Sequence, residues 1–281
     1  MENVTYIVPI HKIEEDVKDF FVKAVESISS LDFTEGDKVL FVGPKEVLNQ
    51  IDILIHDVKL FHEIVYLENE DTDFFKQINK AAFNCVTPYF SILEFDDAYF
   101  SNWNKCAQEY AVNGASILIP INEYYEGRYF DKSGKLVSFG NEIAWNSSFA
   151  SDGNTETWNG SSIGESRSLG YLDIDCLNTF GDFNCTGAFF RTEDFISIGG
   201  LKPTLKIAAW YEFLLRAVYN GKIVYVVPKI GYKHTLGRKD SFSFENRGIS
   251  QEEGKWYFTT AQQEYFFKED RNKTYKDDTS E

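Results

Sequence analysis

Three carboxylates, Glu94, Asp96 and Asp97, fall within four residues of SILEFDDAYF (91–100), where an apolar run ends. Carboxylates this close repel one another unless a cation joins them. Side chains alternate along an extended chain, so Glu94 and Asp96 are expected to point the same way. Oxygen ligands of this kind suit Mg2+ or Mn2+, with phosphate oxygens completing the shell. A second explanation stays open, in which Asp96 or Asp97 caps a helix that follows. A contrasting stretch spans residues 202–239, where eight bases (Lys202, Lys206, Arg216, Lys222, Lys229, Lys233, Arg238 and Lys239) accompany a single acid, Glu212. Such a segment could grip a phosphorylated ligand, or simply balance the acidic remainder of the chain.

The elements that must position these residues follow from periodicity. Val4–Ile10 (VTYIVPI), a short apolar and β-branched run, predicts a buried strand, and Lys38–Val42, Glu63–Leu67 and Tyr89–Leu93 predict further strands. Between them, Glu14–Ser30, Val47–Ile55 and Asp73–Val86 carry apolar residues at helical spacing. Further on, Trp103–Val112 and Ala208–Tyr219 predict helices, and Ser116–Pro120 and Lys222–Val227 predict strands that stop at a proline. Alternation of strand and helix predicts an α/β fold, a three-layer Rossmann-like sandwich with a mostly parallel central sheet. In such sheets ligands bind beyond the carboxyl ends of the strands, which is where the acids fall.

The chain has 281 residues, 43% of them hydrophobic, enough for a large core. Its net charge of −16 disfavours nucleic acid as a general partner. If DNA were bound, Lys202, Lys206 and Lys222 would be the contacts. Four cysteines without CxxC spacing predict free thiols in a reducing compartment. No leader-like segment opens the chain and no apolar run approaches 18 residues, so a cytoplasmic protein without a transmembrane segment is expected. Asn141–Gly170 is rich in Asn, Ser, Gly and Trp and lacks periodicity. Its Trp145 and Trp158 suit stacking on a sugar ring, as does Trp210, although a loop packed on its own aromatics has the same composition.

Four stretches, in order, resemble the family-2 glycosyltransferases, which share the GT-A fold. VTYIVPIHK is similar to the family's opening strand and nucleotide-contacting turn. INKAAFNCVTPYFSILEFDDAYF is similar to its Asn-bearing helix and the strand that ends in an Asp-x-Asp-type motif. NCTGAFFRTEDFISIGGLKPTL is similar to its Gly-x-x-x-x-Arg stretch, and WYEFLLRAVYNGKIVYVVPKIGYKH to its acceptor-side helix, next strand and terminal His. The likeness covers residues 4–240. It implies a glycosyltransferase domain over 1–240, with a nucleotide-sugar half (1–112), an acceptor-side half (113–240) and a C-terminal extension (241–281).

The activity the resemblance implies is metal-dependent, inverting transfer of a sugar from a nucleotide diphosphate, with UDP-sugar as the expected donor. The implied acceptor is a hydroxyl on a glycan, a lipid-linked saccharide, a protein or a modified DNA base. Asp96 would hold Mn2+ or Mg2+ with Asp97 beside it, His234 would be a further metal ligand, and Glu94 would contact the donor's ribose or sugar. Pro9, Ile10 and His11 would line the nucleotide pocket, Asn79 would support it, and Arg238 or Lys239 would reach the diphosphate. Two positions depart from the family pattern. Gly43-Pro44-Lys45 stands where a base-reading Asp is usual, and Ala209-Trp210 stands where Glu-Asp, including the general base, is usual. Glu212 is then the candidate base, with an ordinary i,i+4 ion pair to Arg216 as its alternative. The missing Glu-Asp also keeps open a non-catalytic binding or structural protein built on the same fold.

Overall fold

The computed structural model describes residues 3–14, 17–111, 114–126, 129–130, 136–138, 142–143, 157–158, 161–162, 169–179 and 183–236, with Asn246 and Glu253. The first half runs β1 (Val4–Pro9), α1 (Lys18–Ser29), β2 (Lys38–Gly43), α2 (Lys45–Leu54), β3 (Glu63–Glu68), α3 (Phe74–Phe83), β4 (Tyr89–Ile92), β5 (Ala98–Tyr99) and α4 (Trp103–Ala111). Then come β6 (Ile117–Glu126) and five short pieces, β7 (Tyr129–Phe130), β8 (Leu136–Ser138), β9 (Glu142–Ile143), β10 (Thr157–Trp158) and β11 (Ser161–Ser162). The remainder is β12 (Gly170–Leu172), α5 (Ile174–Thr179), β13 (Phe189–Arg191), α6 (Thr192–Ser197), α7 (Ala209–Tyr219) and β14 (Val224–Leu236).

The main sheet has the order β12-β14-β6-β13-β4-β1-β2-β3. β1, β2, β3 and β4 are mutually parallel, and β6 pairs parallel with β14. β13 lies antiparallel between β4 and β6 and joins the two halves. β1, β2 and β4 read as apolar runs because both of their faces are covered, whereas β3, at the sheet edge, is largely exposed. Ile7, Leu40, Phe90 and Ile119 pack on one face against α3 and α7, whereas Tyr6, Val8, Phe41 and Leu118 pack on the other against α1, α2 and α4. Helix α7 is buried from Ala209 to Leu215, so polar residues along it must be paired within the core.

The predicted strands and helices are present, with two informative extensions. β6 and β14 do not stop at Pro120 and Pro228 but continue as a paired arm to Glu126 and Leu236. Proline has no N–H to give to a ladder. The register accordingly shifts between Val226 and Ile230, and again between Ile230 and Tyr232, before pairing resumes. This resumption carries His234 back to the sheet. Asn141–Gly170 lies largely outside the described residues, as does most of the C-terminal extension expected over 241–281.

Candidate active site

The acidic segment does not remain extended. Phe95 and Asp96 form a turn in which the Asp97 N–H donates to the Glu94 carbonyl at 3.1 Å. Alternation therefore fails, and the pair that converges is three residues apart. One ligand atom each of Glu94, Asp97 and His234 lie within 4.8 Å of one another. Asp96 is not in that group, contrary to the expectation that it leads the metal set. The turn puts Asp97 there instead, while the Asp96 carbonyl accepts from the Thr235 hydroxyl at 2.7 Å.

β14 supplies the counterpart. His234 Nδ1 lies 2.8 Å from Asp97 Oδ2, and the Thr235 N–H donates to Asp97 Oδ1 at 2.7 Å. Tyr232, fully buried, accepts from the Glu94 N–H through its hydroxyl at 3.0 Å. Gly187 makes room for that ring. It has φ +75, and a Cβ there would lie 2.3 Å from the Tyr232 ring. Burial opposes a charge on the His234 ring, but the nearby carboxylates, Asp97 first and then Glu94 and Asp96, outweigh it and raise the His234 pKa to about 9. An imidazolium and a metal compete for the same nitrogens, so a cation entering here must displace that proton. Two carboxylates and one imidazole form a donor set that fits Mn2+ well and Mg2+ less well, since imidazole favours the transition metal.

Of Pro9, Ile10 and His11, expected to line a nucleotide pocket, His11 reaches this turn. Pro9 closes β1, and the Ile10 N–H donates to the Val42 carbonyl at 2.8 Å. The His11 ring packs edge-on against Phe95, with centroids 6.3 Å apart. Asn79 holds a different place. Its amide exchanges two hydrogen bonds with the backbone of Leu201, at 2.7 and 2.8 Å, and so clamps the Gly199–Leu201 turn to α3. Arg238, Lys239 and Trp145 lie outside the described residues, and of Trp158 only the backbone strand is described.

Glu212 lies inside the protein, with 0% exposure. Its carboxylate receives Arg216 Nε at 2.9 Å and Nη2 at 2.8 Å, and Lys202 Nζ at 2.7 Å. Burial alone would push this carboxyl up, but the Arg216 and Lys202 contacts outweigh it and hold it below the usual carboxylate range. Arg216 in turn donates to the carbonyls of Ile198 and Gly200, so the cluster fastens the same turn that Asn79 clamps. The i,i+4 ion pair is thus what the structure contains, and no face of Glu212 is open to an incoming hydroxyl. Trp210 likewise departs from its expected acceptor role. It is buried, stacks on Phe190 at 5.9 Å and meets Phe75 and Phe213 edge-on, so it fills the core.

One acid was invisible to sequence reasoning. Glu253 Oε1 accepts the backbone N–H groups of Lys206, Ile207 and Ala208 at 2.8, 3.0 and 2.9 Å. A carboxylate from 45 residues downstream therefore sits at the amino end of α7, beside Ala209-Trp210. α7 runs back along the sheet before β14 returns, so this end of the helix lies on the same edge of the molecule as the acidic turn. A cavity of about 890 Å³, lined among others by Cys85, Tyr89, Gln108, Arg191 and Ile196, lies at the opposite edge, where β4 begins.

The mixed, mostly parallel sheet shows the fold. The chain has a GT-A-like glycosyltransferase fold. No protein-family model and no curated protein sequence matches it. Among solved structures it is similar to S. aureus TarS residues 1–349, at 15% identity and TM-score 0.55 over 83% of this chain and 60% of that one. The same fragment in complex with UDP-GlcNAc gives 16% identity and TM-score 0.56, over 86% and 60% of the two chains. The complex with UDP gives 16% and 0.54, over 85% and 62%. The chain thus spans about three fifths of these relatives. Among the described residues no helix is long and apolar enough to cross a membrane.

Proposed function

We propose that this protein is a family-2-like glycosyltransferase that moves a sugar from a UDP-sugar to a hydroxyl acceptor, with inversion at the anomeric carbon and with a divalent cation. The observation that carries the reading is the convergence of Glu94 and Asp97, just beyond β4, with His234 near the end of β14, in a fold whose structural relatives include a protein solved with UDP-GlcNAc and UDP. Glu94, Asp97 and His234 would hold Mn2+, which neutralises charge growing on a departing diphosphate.

The chain's own residues perform the rest. Pro9, Ile10 and His11 bound the space beside Phe95 in which a nucleotide lies. The Thr235 N–H and His234 hold the Asp97 carboxylate, and Tyr232 holds the Glu94 backbone, so the turn is set before ligand arrives. A base takes the acceptor's hydroxyl proton as the oxygen–carbon bond forms and the carbon–oxygen bond to the diphosphate breaks. Glu212 is enclosed and doubly paired, so in this reading the proton goes to Glu253, whose Oε2 accepts one N–H, from Lys206 at 3.1 Å, where Oε1 accepts three.

Calorimetric titration with UDP in the presence and absence of Mn2+ tests the core of this reading. Binding that needs the metal and vanishes in Asp97→Asn is the expected result, and equal binding by Asp97→Asn would remove its basis. Glu253→Gln is expected to keep UDP binding while turnover falls at least about 100-fold, the usual scale of a lost general base. The non-catalytic alternative predicts nucleotide binding without release of UDP from any UDP-sugar.

A further inference from the structure

Asn122 in β6 has 0% exposure, and neither its Oδ1 nor its Nδ2 meets a hydrogen-bond partner among the described residues. Buried amides are ordinarily bonded, and an orphan of this kind costs the fold its desolvation without return. Its place in the sheet suggests what the amide is for. The parallel register sets Asn122 beside Tyr232, and Tyr124 beside His234. Register partners on parallel strands are close neighbours whose side chains share a face. Asn122 therefore stands one strand away from Tyr232, the residue that buttresses Glu94, on the face from which His234 reaches Asp97.

The chemistry of a carboxamide narrows the ligand. A metal ion could take Oδ1 alone and would leave the Nδ2 hydrogens without an acceptor. A phosphate offers acceptors alone and would leave Oδ1 orphaned. A sugar hydroxyl gives one hydrogen and accepts another, and two neighbouring hydroxyls can satisfy both ends of the amide. We propose that Asn122 is a specificity-determining residue of the donor site, its amide recognising a hydroxyl on the sugar that is transferred. The proposal rests on the reading of Glu94, Asp97 and His234 as a nucleotide-sugar site. Because Asn122 is roofed in the ligand-free structure, the neighbouring side chains must give way for the sugar to reach it. The hydrogen bonds missing from the free protein are then made on binding.

The test compares the full chain with Asn122→Leu and Asn122→Ser, using UDP, UDP-glucose and UDP-GlcNAc as probes with Mn2+. In Asn122→Leu, UDP is expected to bind within about twofold of the wild type, while the better-bound of the two sugar-bearing probes loses about tenfold in affinity, one charge-free hydrogen-bonded contact. Asn122→Leu is also expected to melt no lower than the wild type, since it removes an unbonded amide. If Asn122→Leu does not fold, Asn122→Ser provides the same ratio of sugar-bearing probe to UDP. An unchanged ratio in the folded variant overturns the proposal. Failure of the wild type to bind UDP at all overturns the nucleotide-sugar reading beneath it, and the two failures are thereby told apart.

Discussion

Two charged constellations lie in this molecule, and they are balanced in opposite ways. Around Glu212 one carboxylate faces two permanent cations, Arg216 and Lys202, and every strong interaction is complete within the chain. Around the turn after β4 three carboxylates, Glu94, Asp96 and Asp97, influence one imidazole and together favour its protonated form. The first arrangement is saturated and anchors a turn. The second gathers acids around a single imidazole, and Glu94, Asp97 and His234 offer three atoms that could hold a metal ion. Both contain acids that looked equally eligible for chemistry in the sequence, and the supply of counter-charge separates them.

That contrast can be broken by substitution. The largest effect is expected at the saturated cluster: Arg216→Ala leaves Glu212 buried beside the half-exposed Lys202, and loss of one partner from a buried pair costs about 3–5 kcal/mol. Urea unfolding should show that loss with or without Mn2+. A smaller and different effect is expected at the acidic turn. Asp97→Asn should weaken Mn2+-dependent UDP binding at least about 100-fold, the upper end of losses seen when even outer-shell groups are removed. Its metal-free melting temperature should also fall near neutral pH, since Asp97 is the main partner that favours the charged His234 ring, while Asp96→Asn should bind far better than Asp97→Asn. Equal losses from the two variants would return Asp96 to the metal set.

Gly187→Ala is expected to come next. It imposes a left-handed conformation on alanine, costing about 1–2 kcal/mol, and its Cβ displaces the Tyr232 ring that supports Glu94. Thermal melting and UDP titration should both register it. The smallest expected effect concerns a second buried histidine, at the amino end of β3. Burial lowers the pKa of His62, and the opposing charge of Asp37 does not make up the difference. The unfolded chain therefore takes up this proton first, so the His62 contribution is present above about pH 6.5 and is lost as pH falls below it. His62→Phe, which keeps the ring contacts with Tyr6 and Phe33, should flatten that part of the melting-temperature profile.

Much of the fold was legible because strand and helix periodicities alternate cleanly from Val4 to Ala111. The ends of β6 and β14 were not, because a proline ends a local pattern but only shifts the register of two strands that already have each other. The same limit applies at the site. The sequence shows that acids gather near Phe95, but whether Asp96 or Asp97 joins Glu94 depends on a turn, and on the pairing of Tyr99 with Tyr232 that follows it. Trp210 sits on a helix buried from almost every side, which its polar-free neighbourhood Ile207–Tyr211 hints at and its residue type obscures. Glu253 and the orphaned amide of Asn122 carry no local signal. One is defined by a helix end 45 residues earlier, and the other by a strand partner 110 residues later.

The link between Asp97 and His234 spans 137 positions. On the ribosome, at roughly 5–20 residues per second, the acidic turn is made roughly 7–27 s before the histidine that completes it. Throughout that interval the nascent chain carries exposed carboxylates without their imidazole or the ring of Tyr232. In the proposed metal-binding reading, capture of a cation would wait until β14 is made, and a chain cut short before β14 would have the acids without the imidazole beside them.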